Sequence, residues 1–136
     1  MSNEIEGSKC ILLVDDEQMI RRAGQRILMR IGCEVLLAEN GEEALKVYRA
    51  SRERIDAVIL DMAMPVMDGL ACLAALKKIN PKVRVVISSG SLDAPSSDAP
   101  VPEGAVGVLP KPYDVQQLKT LFHRMFEIHK EGGIGV

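Results

Sequence analysis

Short runs of apolar residues alternate with longer stretches of helical spacing along this chain. The first run is CILLV (10–14), and apolar residues then recur at helical spacing from Ile20 to Ile31. The later runs are CEVLLA (33–38), DAVIL (56–60), VRVVIS (83–88) and AVGVL (105–109). Because these runs are mostly apolar rather than alternating, both faces of each strand need cover, which helices on right-handed crossovers provide. The chain is predicted to be an α/β protein with a doubly wound, five-stranded parallel sheet.

Proline residues interrupt the rhythm between the fourth and fifth strands. The sequence there is SLDAPSSDAPVPE (91–103), and its prolines forbid a regular multi-turn helix. We therefore expect the fourth helix of the pattern to be short or disordered, and a closing helix to begin at about Asp114. The polar ends, 1–8 and 131–136, are predicted to be flexible tails around a single domain over 9–130.

Composition narrows the functional classes. The 136 residues, 47% of them hydrophobic, suffice for one compact core, and a formal net charge of -2 gives no long-range attraction to nucleic acid or an anionic membrane. The longest apolar runs are far too short to span a bilayer, and the polar start MSNEIEGSK lacks the apolar core of a signal peptide. We expect a cytoplasmic domain that contacts neither nucleic acid nor membrane.

The cysteines and histidines do not suggest a zinc site or a serine–histidine triad. Cys10, Cys33 and Cys72 are odd in number and widely spaced, which is typical of small core residues. The histidines, His123 and His129, both fall in the C-terminal helical pattern and are predicted to lie on the helix surface.

Polar residues follow four of the five predicted strands. They are Asp15 and Asp16 after the first strand, Asp61 after the third, Ser88 and Ser89 at the end of the fourth, and Lys111 after the fifth. In an open parallel sheet these positions share one edge. Three clustered carboxylates repel one another unless a cation lies among them or some are protonated, and oxygen-only ligands favour Mg2+. A carboxylate there can also attack phosphorus and form an aspartyl phosphate.

Four motifs carry a family resemblance. ILLVDDE, VILDMAMPVMDG, VVISSG and LPKPY occur in this order, and over residues 9–130 the chain resembles the receiver domain of two-component response regulators. The resemblance implies a flavodoxin-like strand order of 2-1-3-4-5. It also implies a phosphorylation-dependent signalling module that works with a sensor histidine kinase or a phosphotransfer domain, either as a lone receiver or as part of a hybrid histidine kinase.

The resemblance also assigns roles around the acids. Asp61 matches the phosphoacceptor, which attacks a phosphohistidine donor. Asp15 and Asp16 match the acids that hold Mg2+, one directly and the other through water, and the backbone carbonyl of Ala63 is implied as a further ligand.

Two further positions complete the implied site. Lys111 matches the lysine that pairs with the phosphoryl group, and its bond to Pro112 is expected to be cis. Ser89 matches the switch hydroxyl better than Ser88, because Gly90 then takes the small-residue position that follows it.

The chain departs from the family pattern at two places. Val108 occupies the place in the fifth strand where Tyr or Phe is common, so phosphorylation is expected to be reported by loop movement. We also expect phosphorylation to change the order of 91–103, because Gly90 joins this interval to Ser89. Ala63 and Ser91, at the sides of the pocket, are small, which predicts a modest lifetime for the phosphoryl group.

Simpler structural roles are predicted for several nearby residues. Asp68 is expected to cap the helix that follows it, and Glu17 to complement the dipole of the first helix. Met62, Met64 and Met67 are expected to fill space around the loop rather than to bind a soft metal.

Two other functions are weighed against the signalling module. A metal-dependent phosphohydrolase would form the same intermediate on Asp61, but Ala63 stands where a general acid would be needed. An unphosphorylated docking domain would not need Asp15, Asp16 and Lys111 together with Asp61.

Overall fold

The part of the chain that the structure describes contains five strands and four helices. The structure is a computed structural model that describes residues 8–90 and 101–134, with 127–134 described by their backbone alone. The elements are β1 (Cys10–Val14), α1 (Gln18–Arg30), β2 (Glu34–Ala38), α2 (Gly41–Ser51), β3 (Ala57–Asp61), α3 (Gly69–Ile79), β4 (Val85–Ser89), β5 (Gly107–Pro110) and α4 (Val115–Ile134). All strand pairs are parallel, in the order β2-β1-β3-β4-β5. The predicted fold class and strand order are confirmed.

Two apolar cores lie on opposite faces of the sheet. Neighbouring residues of a strand point to opposite faces, so Leu12 of β1 packs towards α2 and α3 while Leu13 packs towards α1 and α4. Tyr48 of α2 is buried in the first core, and Phe122 of α4 is buried in the second. Cover on both faces is the arrangement that the apolar runs predicted.

Side-chain caps start three of the helices, and at the start of α4 the Asp114 side chain accepts a 2.8 Å hydrogen bond from the backbone N–H of Gln117. The Asn40 side chain accepts a hydrogen bond of 2.8 Å from the backbone N–H of Glu43 at the start of α2. The Asp68 side chain accepts one of 2.9 Å from Ala71 at the start of α3, which confirms the capping role predicted for Asp68.

The parallel register brings the polar residues to one edge of the sheet. Asp61 is the last residue of β3 and pairs with Ser88 of β4, so the strand extends one residue beyond its predicted end. Ser89 pairs with Pro110 of β5, and its carbonyl accepts a 2.8 Å hydrogen bond from the backbone N–H of Lys111. The chain therefore carries its acids, serines and lysine to the carboxyl ends of neighbouring strands.

Phe126 joins elements at the opposite edge of the sheet. The ammonium of Lys9, just before β1, lies 4.9 Å from the centre of the Phe126 ring, and the guanidinium carbon of Arg84, just before β4, lies 5.3 Å from it. The Phe122 ring meets the Phe126 ring edge-on, with 5.8 Å between centres. These contacts fasten α4 to the amino ends of β1 and β4.

Most of the proline-rich interval, 91–100, lies outside the described residues, as does the small side chain of Ser91. In the described remainder, the Pro102 carbonyl accepts a 3.0 Å hydrogen bond from Ala105 and closes a turn. The backbone of α4 is helical to Ile134, beyond the predicted domain end at residue 130. The domain limits, the tails and the order of 91–103 stay predictions.

The cysteines are core residues, as predicted. All three are buried free thiols, and burial raises the pKa values of Cys33 and Cys72 to about 11. His123 is exposed on α4, which agrees with its predicted surface position, whereas the side chain of His129 lies outside the described part of the chain. No helix within the described ranges has the length and apolar character that crossing a bilayer requires.

Candidate functional site

Three carboxylates meet at the carboxyl edge of the sheet. Asp15 and Asp16 follow β1, Asp61 ends β3, and one oxygen from each lies within 4.8 Å of the others. Asp15 and Asp61 are buried, and Asp16 is exposed. The structure therefore brings together the three acids that the sequence pointed to, with one side of the cluster open to solvent.

Lys111 reaches into this cluster from the loop after β5. Its ammonium nitrogen lies 2.8 Å from Oδ2 of Asp15 and 3.1 Å from Oδ1 of Asp61, and the side chains of Lys111, Asp15 and Asp61 are only 8%, 1% and 5% exposed. Burial alone would lower the pKa of Lys111, but its contacts with the two carboxylates outweigh this and raise the pKa. The lysine is thus held as a cation between the two buried acids.

The positive charge of Lys111 does not fully offset the cost of burying the Asp61 carboxylate. Burial raises its pKa from 3.8 to about 6, Lys111 opposes the rise, and the neighbouring charge of Asp15 adds to it. Asp61 is therefore ionised near neutral pH at an energetic cost, and additional positive charge at the site would be attracted to it.

The loop between β1 and α1 is fixed by contacts that the sequence analysis missed. Oδ1 of Asp15 accepts a 2.9 Å hydrogen bond from the backbone N–H of Glu17, and the Asp15 carbonyl accepts one of 2.7 Å from the guanidinium of Arg21. The available signal in the sequence was the place of Arg21 in the first turns of α1, which begins beside the acids. Glu17 precedes α1 without a side-chain cap and lines the acid pocket, and its predicted interaction with the helix dipole stays a prediction.

The loop after Asp61 is closely packed and bent. A Cβ at Gly69 would lie 2.6 Å from the carbonyl oxygen of Asp61 and 2.7 Å from Cα of Met62, so only glycine fits here. Val66 adopts a φ of 72°, a left-handed conformation that is costly for a β-branched residue, and it is 75% exposed. The sequence showed neither the close approach nor the strained backbone.

A cavity of about 260 Å3 opens onto the cluster. It is lined by Glu17, Asp61, Met62, Ala63, Ser89, Gly90 and Lys111. Ser89 is half-buried and faces this space, while Ser88 is buried in β4 and does not line it. The geometry thus favours Ser89 over Ser88 as the hydroxyl beside Asp61.

The methionines near the site mainly fill space. Met64 is buried in the core on the side of α2 and α3, and Met67 packs where a side chain at Gly41 would otherwise lie, with its sulfur 2.9 Å from that Cβ position. Met62 lines the pocket and also packs on the same core. The packing supports their predicted role as space-filling side chains.

The residues at this edge fit a small hard cation. All donors in the cluster are carboxylate oxygens, which is the donor type that Mg2+ prefers. Oδ2 of Asp15 is buried and receives no hydrogen bond of regular geometry within the described residues, although the Lys111 ammonium is near it. A carboxylate oxygen of this kind can accept a metal bond, and the exposed Asp16 leaves an entry path from solvent.

Known proteins match most of the length of this chain. A family model described as the response regulator receiver domain matches residues 11–123. Sensor kinase CckA of Brucella abortus (strain 2308) is 35% identical over 127 residues, which cover 93% of this chain and 13% of CckA. The transcriptional regulator NtrC of Escherichia coli (strain K12) is 31% identical over 121 residues, which cover 89% of this chain and 25% of NtrC. The chain thus spans a quarter or less of these curated relatives.

Solved structures share the fold. A response regulator receiver domain protein from Clostridium thermocellum is 34% identical, with a TM-score of 0.79 over 90% of this chain and 97% of that one. The response regulator TrrA from Thermotoga maritima, solved in complex with Mg(2+)-BeF, is 30% identical, with a TM-score of 0.75 over 87% of this chain and 99% of that one. The match of the family model over most of the chain, together with these structures, leads to one conclusion: the chain belongs to the response regulator receiver domain family.

Proposed function

We propose that this domain accepts a phosphoryl group from a phosphohistidine onto Asp61. The observation that carries the proposal is the buried contact of one lysine with two acids, in which the ammonium of Lys111 lies within 3.1 Å of both Asp15 and Asp61. Its family is one of phosphorylation-dependent modules of two-component signalling, so the proposal concerns which residues perform the transfer here.

Asp61 supplies the nucleophile. Its pKa of about 6 leaves the carboxylate ionised near neutral pH, while burial removes much of its hydration. One of its oxygens forms the new O–P bond as the P–N bond of the donor breaks, and the imidazole leaves with the electron pair of that bond. Steps of this kind depend mainly on alignment and on neutralising the charge of the phosphoryl oxygens.

Asp15, Asp16 and Asp61, with the backbone carbonyl of Ala63, would hold Mg2+ at this site. The supporting observations are the oxygen-only cluster and the buried Oδ2 of Asp15, together with the Mg(2+)-BeF complex of the related TrrA. When bound, Mg2+ would neutralise charge on the phosphoryl oxygens and on the acids around them.

Lys111 and Ser89 would contact the oxygens of the phosphoryl group once it is on Asp61. The Lys111 ammonium already lies 3.1 Å from Asp61, so a modest shift of its flexible side chain would bring it to a phosphoryl oxygen on that residue. The hydroxyl of Ser89 borders the same cavity and would donate a hydrogen bond to another oxygen. Such movements couple the chemistry at Asp61 to the loops after β4 and β5.

The domain belongs to a family of signalling modules rather than of enzymes with diffusible substrates. In our proposal it catalyses only its own phosphorylation and dephosphorylation. A phosphohydrolase is not favoured, because the residue two positions after Asp61 is Ala63, which cannot act as a general acid. A docking domain without phosphorylation is not favoured either, because docking would not require three clustered carboxylates and a buried lysine.

The proposed donor is the phosphohistidine of a sensor kinase or of a phosphotransfer domain. CckA is a sensor kinase in which the matching region covers 13% of the length, so a receiver of this kind occurs within a larger kinase chain. The oppositely charged side chains of the site are largely buried, and this low exposure favours direct transfer of the phosphoryl group within a complex of the two proteins. The proposal places the chain in the cytoplasm, where phosphorylated kinases and Mg2+ are both available.

Acetyl phosphate provides the test. Incubation with acetyl phosphate and Mg2+ is expected to add one phosphoryl group, seen as a single mass increase by intact-protein mass spectrometry. No mass increase is expected when the metal is chelated beforehand. Asp61→Asn should abolish the addition, whereas Asp68→Asn, the same change at an exposed helix cap, should retain it. Modification of the Asp61→Asn variant at the wild-type rate would refute the assignment, and steady release of phosphate from small esters would favour a phosphohydrolase.

A further inference from the structure

Tyr113 lies two residues after the lysine of the site and points into the core. Its side chain is 7% exposed and packs in the core on the side of α1 and α4. The hydroxyl is buried and makes no hydrogen bond within the part of the chain that is described. The hydroxyl therefore contributes no polar contact that would explain the position of the ring.

Gly24 of α1 makes room for this ring. A Cβ at residue 24 would lie 2.6 Å from the hydroxyl oxygen of Tyr113 and 2.9 Å from a methyl carbon of Leu13. Gly24 is buried in the middle of α1, where glycine is an unfavourable helix residue. The helix thus approaches Tyr113 this closely only because residue 24 has no side chain.

An open cleft flanks this contact between α1 and the loop that carries Lys111. It has a volume of about 150 Å3 and is lined by Met19, Ile20, Ala23, Gly24 and Ile27 on the helix side and by Lys111, Pro112 and Tyr113 on the loop side. Tyr113 therefore links α1 to the loop, in addition to the main-chain hydrogen bond that joins Lys111 to Ser89. Movement of its ring would shift the backbone that carries Lys111.

We propose that Tyr113 is a positioning residue for Lys111, and that Gly24 leaves the space against which the Tyr113 ring packs. With the ring against Gly24, the backbone at residue 111 is held where the ammonium reaches both Asp15 and Asp61. The inference rests on the proposed function where it assigns Lys111 a part in phosphoryl transfer. Its geometric part, the dependence of the lysine contact on the ring, stands on packing alone.

Gly24→Ala and Tyr113→Phe form a pair of variants that tests this dependence. The methyl group added by Gly24→Ala would strike the tyrosine hydroxyl and push the ring outward. Tyr113→Phe removes that hydroxyl and leaves the added methyl 3.4 Å from the nearest remaining ring atom, Cε1, while the 2.9 Å approach to the flexible methyl end of Leu13 is common to the single and the double variant. The double variant is therefore expected to return the ring, and the lysine with it, towards its original position.

Two measurements separate displacement of Lys111 from general destabilisation. Gly24→Ala should slow phosphorylation by acetyl phosphate on the order of tenfold, because small misplacements of a reacting or charge-stabilising group are costly. The same variant should bind Mg2+ more tightly in isothermal titration calorimetry, because the ammonium no longer competes for Asp15 and Asp61. Lys111→Ala, which removes the ammonium, serves as the reference for that tighter binding.

Leu76→Ala is the matched control. Leu76 is fully buried in the core on the opposite face of the sheet, so its truncation destabilises the domain without touching Tyr113 or its core. It should lower the urea midpoint and leave the Mg2+ affinity unchanged. Should Gly24→Ala fail to fold, Tyr113→Leu, which shortens the side chain without adding atoms to α1, is expected to give the same slower phosphorylation and tighter Mg2+ binding.

The outcomes are distinct. Slower phosphorylation and tighter Mg2+ binding in Gly24→Ala, with both reversed by adding Tyr113→Phe, would support the proposal. Unchanged or weaker Mg2+ binding in Gly24→Ala, or a double variant no better than the single one, would overturn it. If wild-type protein takes up no phosphoryl group, the proposed function fails, while the Mg2+ affinities still decide whether the ring positions the lysine.

Discussion

Replacing Asp61 with asparagine is predicted to stabilise the metal-free domain. Burial raises the pKa of Asp61 from 3.8 to about 6, so the folded protein keeps a carboxylate that it disfavours. Asparagine keeps a similar shape and an oxygen that can face Lys111, but it cannot ionise. The variant therefore removes the cost and preserves most of the packing.

The magnitude and its pH dependence follow from proton linkage. Each pH unit between the folded and unfolded pKa values is worth about 1.36 kcal/mol, so a rise from 3.8 to about 6 corresponds to about 3 kcal/mol. Below pH 3.8 the carboxyl group is neutral in both states and costs nothing. Between pH 3.8 and 6 the unfolded chain releases its proton first, so stability falls as pH rises. Above pH 6 the loss is complete, and Asp61→Asn should recover up to about 3 kcal/mol.

Urea unfolding in buffers that contain a chelator measures this gain. The free energy of unfolding of wild type and Asp61→Asn is compared near neutral pH and at steps down to pH 3.8, with Asp68→Asn as the control. Asp68 is exposed and caps α3, and asparagine is an equally good cap, so this second variant should differ little from wild type at any pH. A variant at residue 61 that is no more stable than wild type near neutral pH, or whose gain does not shrink in acid, would refute the reasoning.

Three further variants test the packing around the site and across the sheet. Gly69→Ala should lower the free energy of unfolding by about 1–3 kcal/mol, because the added methyl meets the main chain of 61 and 62, and a urea midpoint equal to that of wild type would contradict this. Val66→Gly should keep or raise the free energy of unfolding, by up to about 1 kcal/mol, because glycine relieves the left-handed backbone. Val106→Gly is the control: this valine is also exposed but has no positive φ, so the change should be destabilising, and a loss of stability in both variants would argue against strain at residue 66. Phe126→Leu should lower stability by about 1–2 kcal/mol through loss of its two cation contacts, with a smaller loss in high salt, and a salt-independent loss would point to packing alone.

The fold could be read from the sequence because its strands are separated from its helices by clear changes of period. β1 coincides with the CILLV run, and every other predicted strand overlaps an observed one within two residues. The run DAVIL stops one residue short of the observed end of β3, because Asp61, the last residue of the strand, still pairs with Ser88. The acids and the lysine could be placed at one edge because parallel register dictates where strand ends meet.

The details that were missed depend on the approach of distant segments. Gly41, for example, begins α2, and its missing side chain admits Met67 from another loop. The hydrogen bond from Arg21 to the Asp15 carbonyl likewise depends on the direction of α1 relative to the sheet. No local pattern in a single sequence reports such contacts, because they arise only after the elements have packed.

The contacts of Phe126 lie at the opposite end of the sheet from the carboxylate cluster. Lys9 and Phe126 meet at the amino ends of the strands, so both the entry to β1 and the outer part of α4 lie at the pole opposite the acids. A strand of five residues spans about 17 Å, which sets the scale of the separation between these contacts and the acids. The described contacts that fasten α4 to the sheet therefore lie away from the carboxylate cluster and do not cover it.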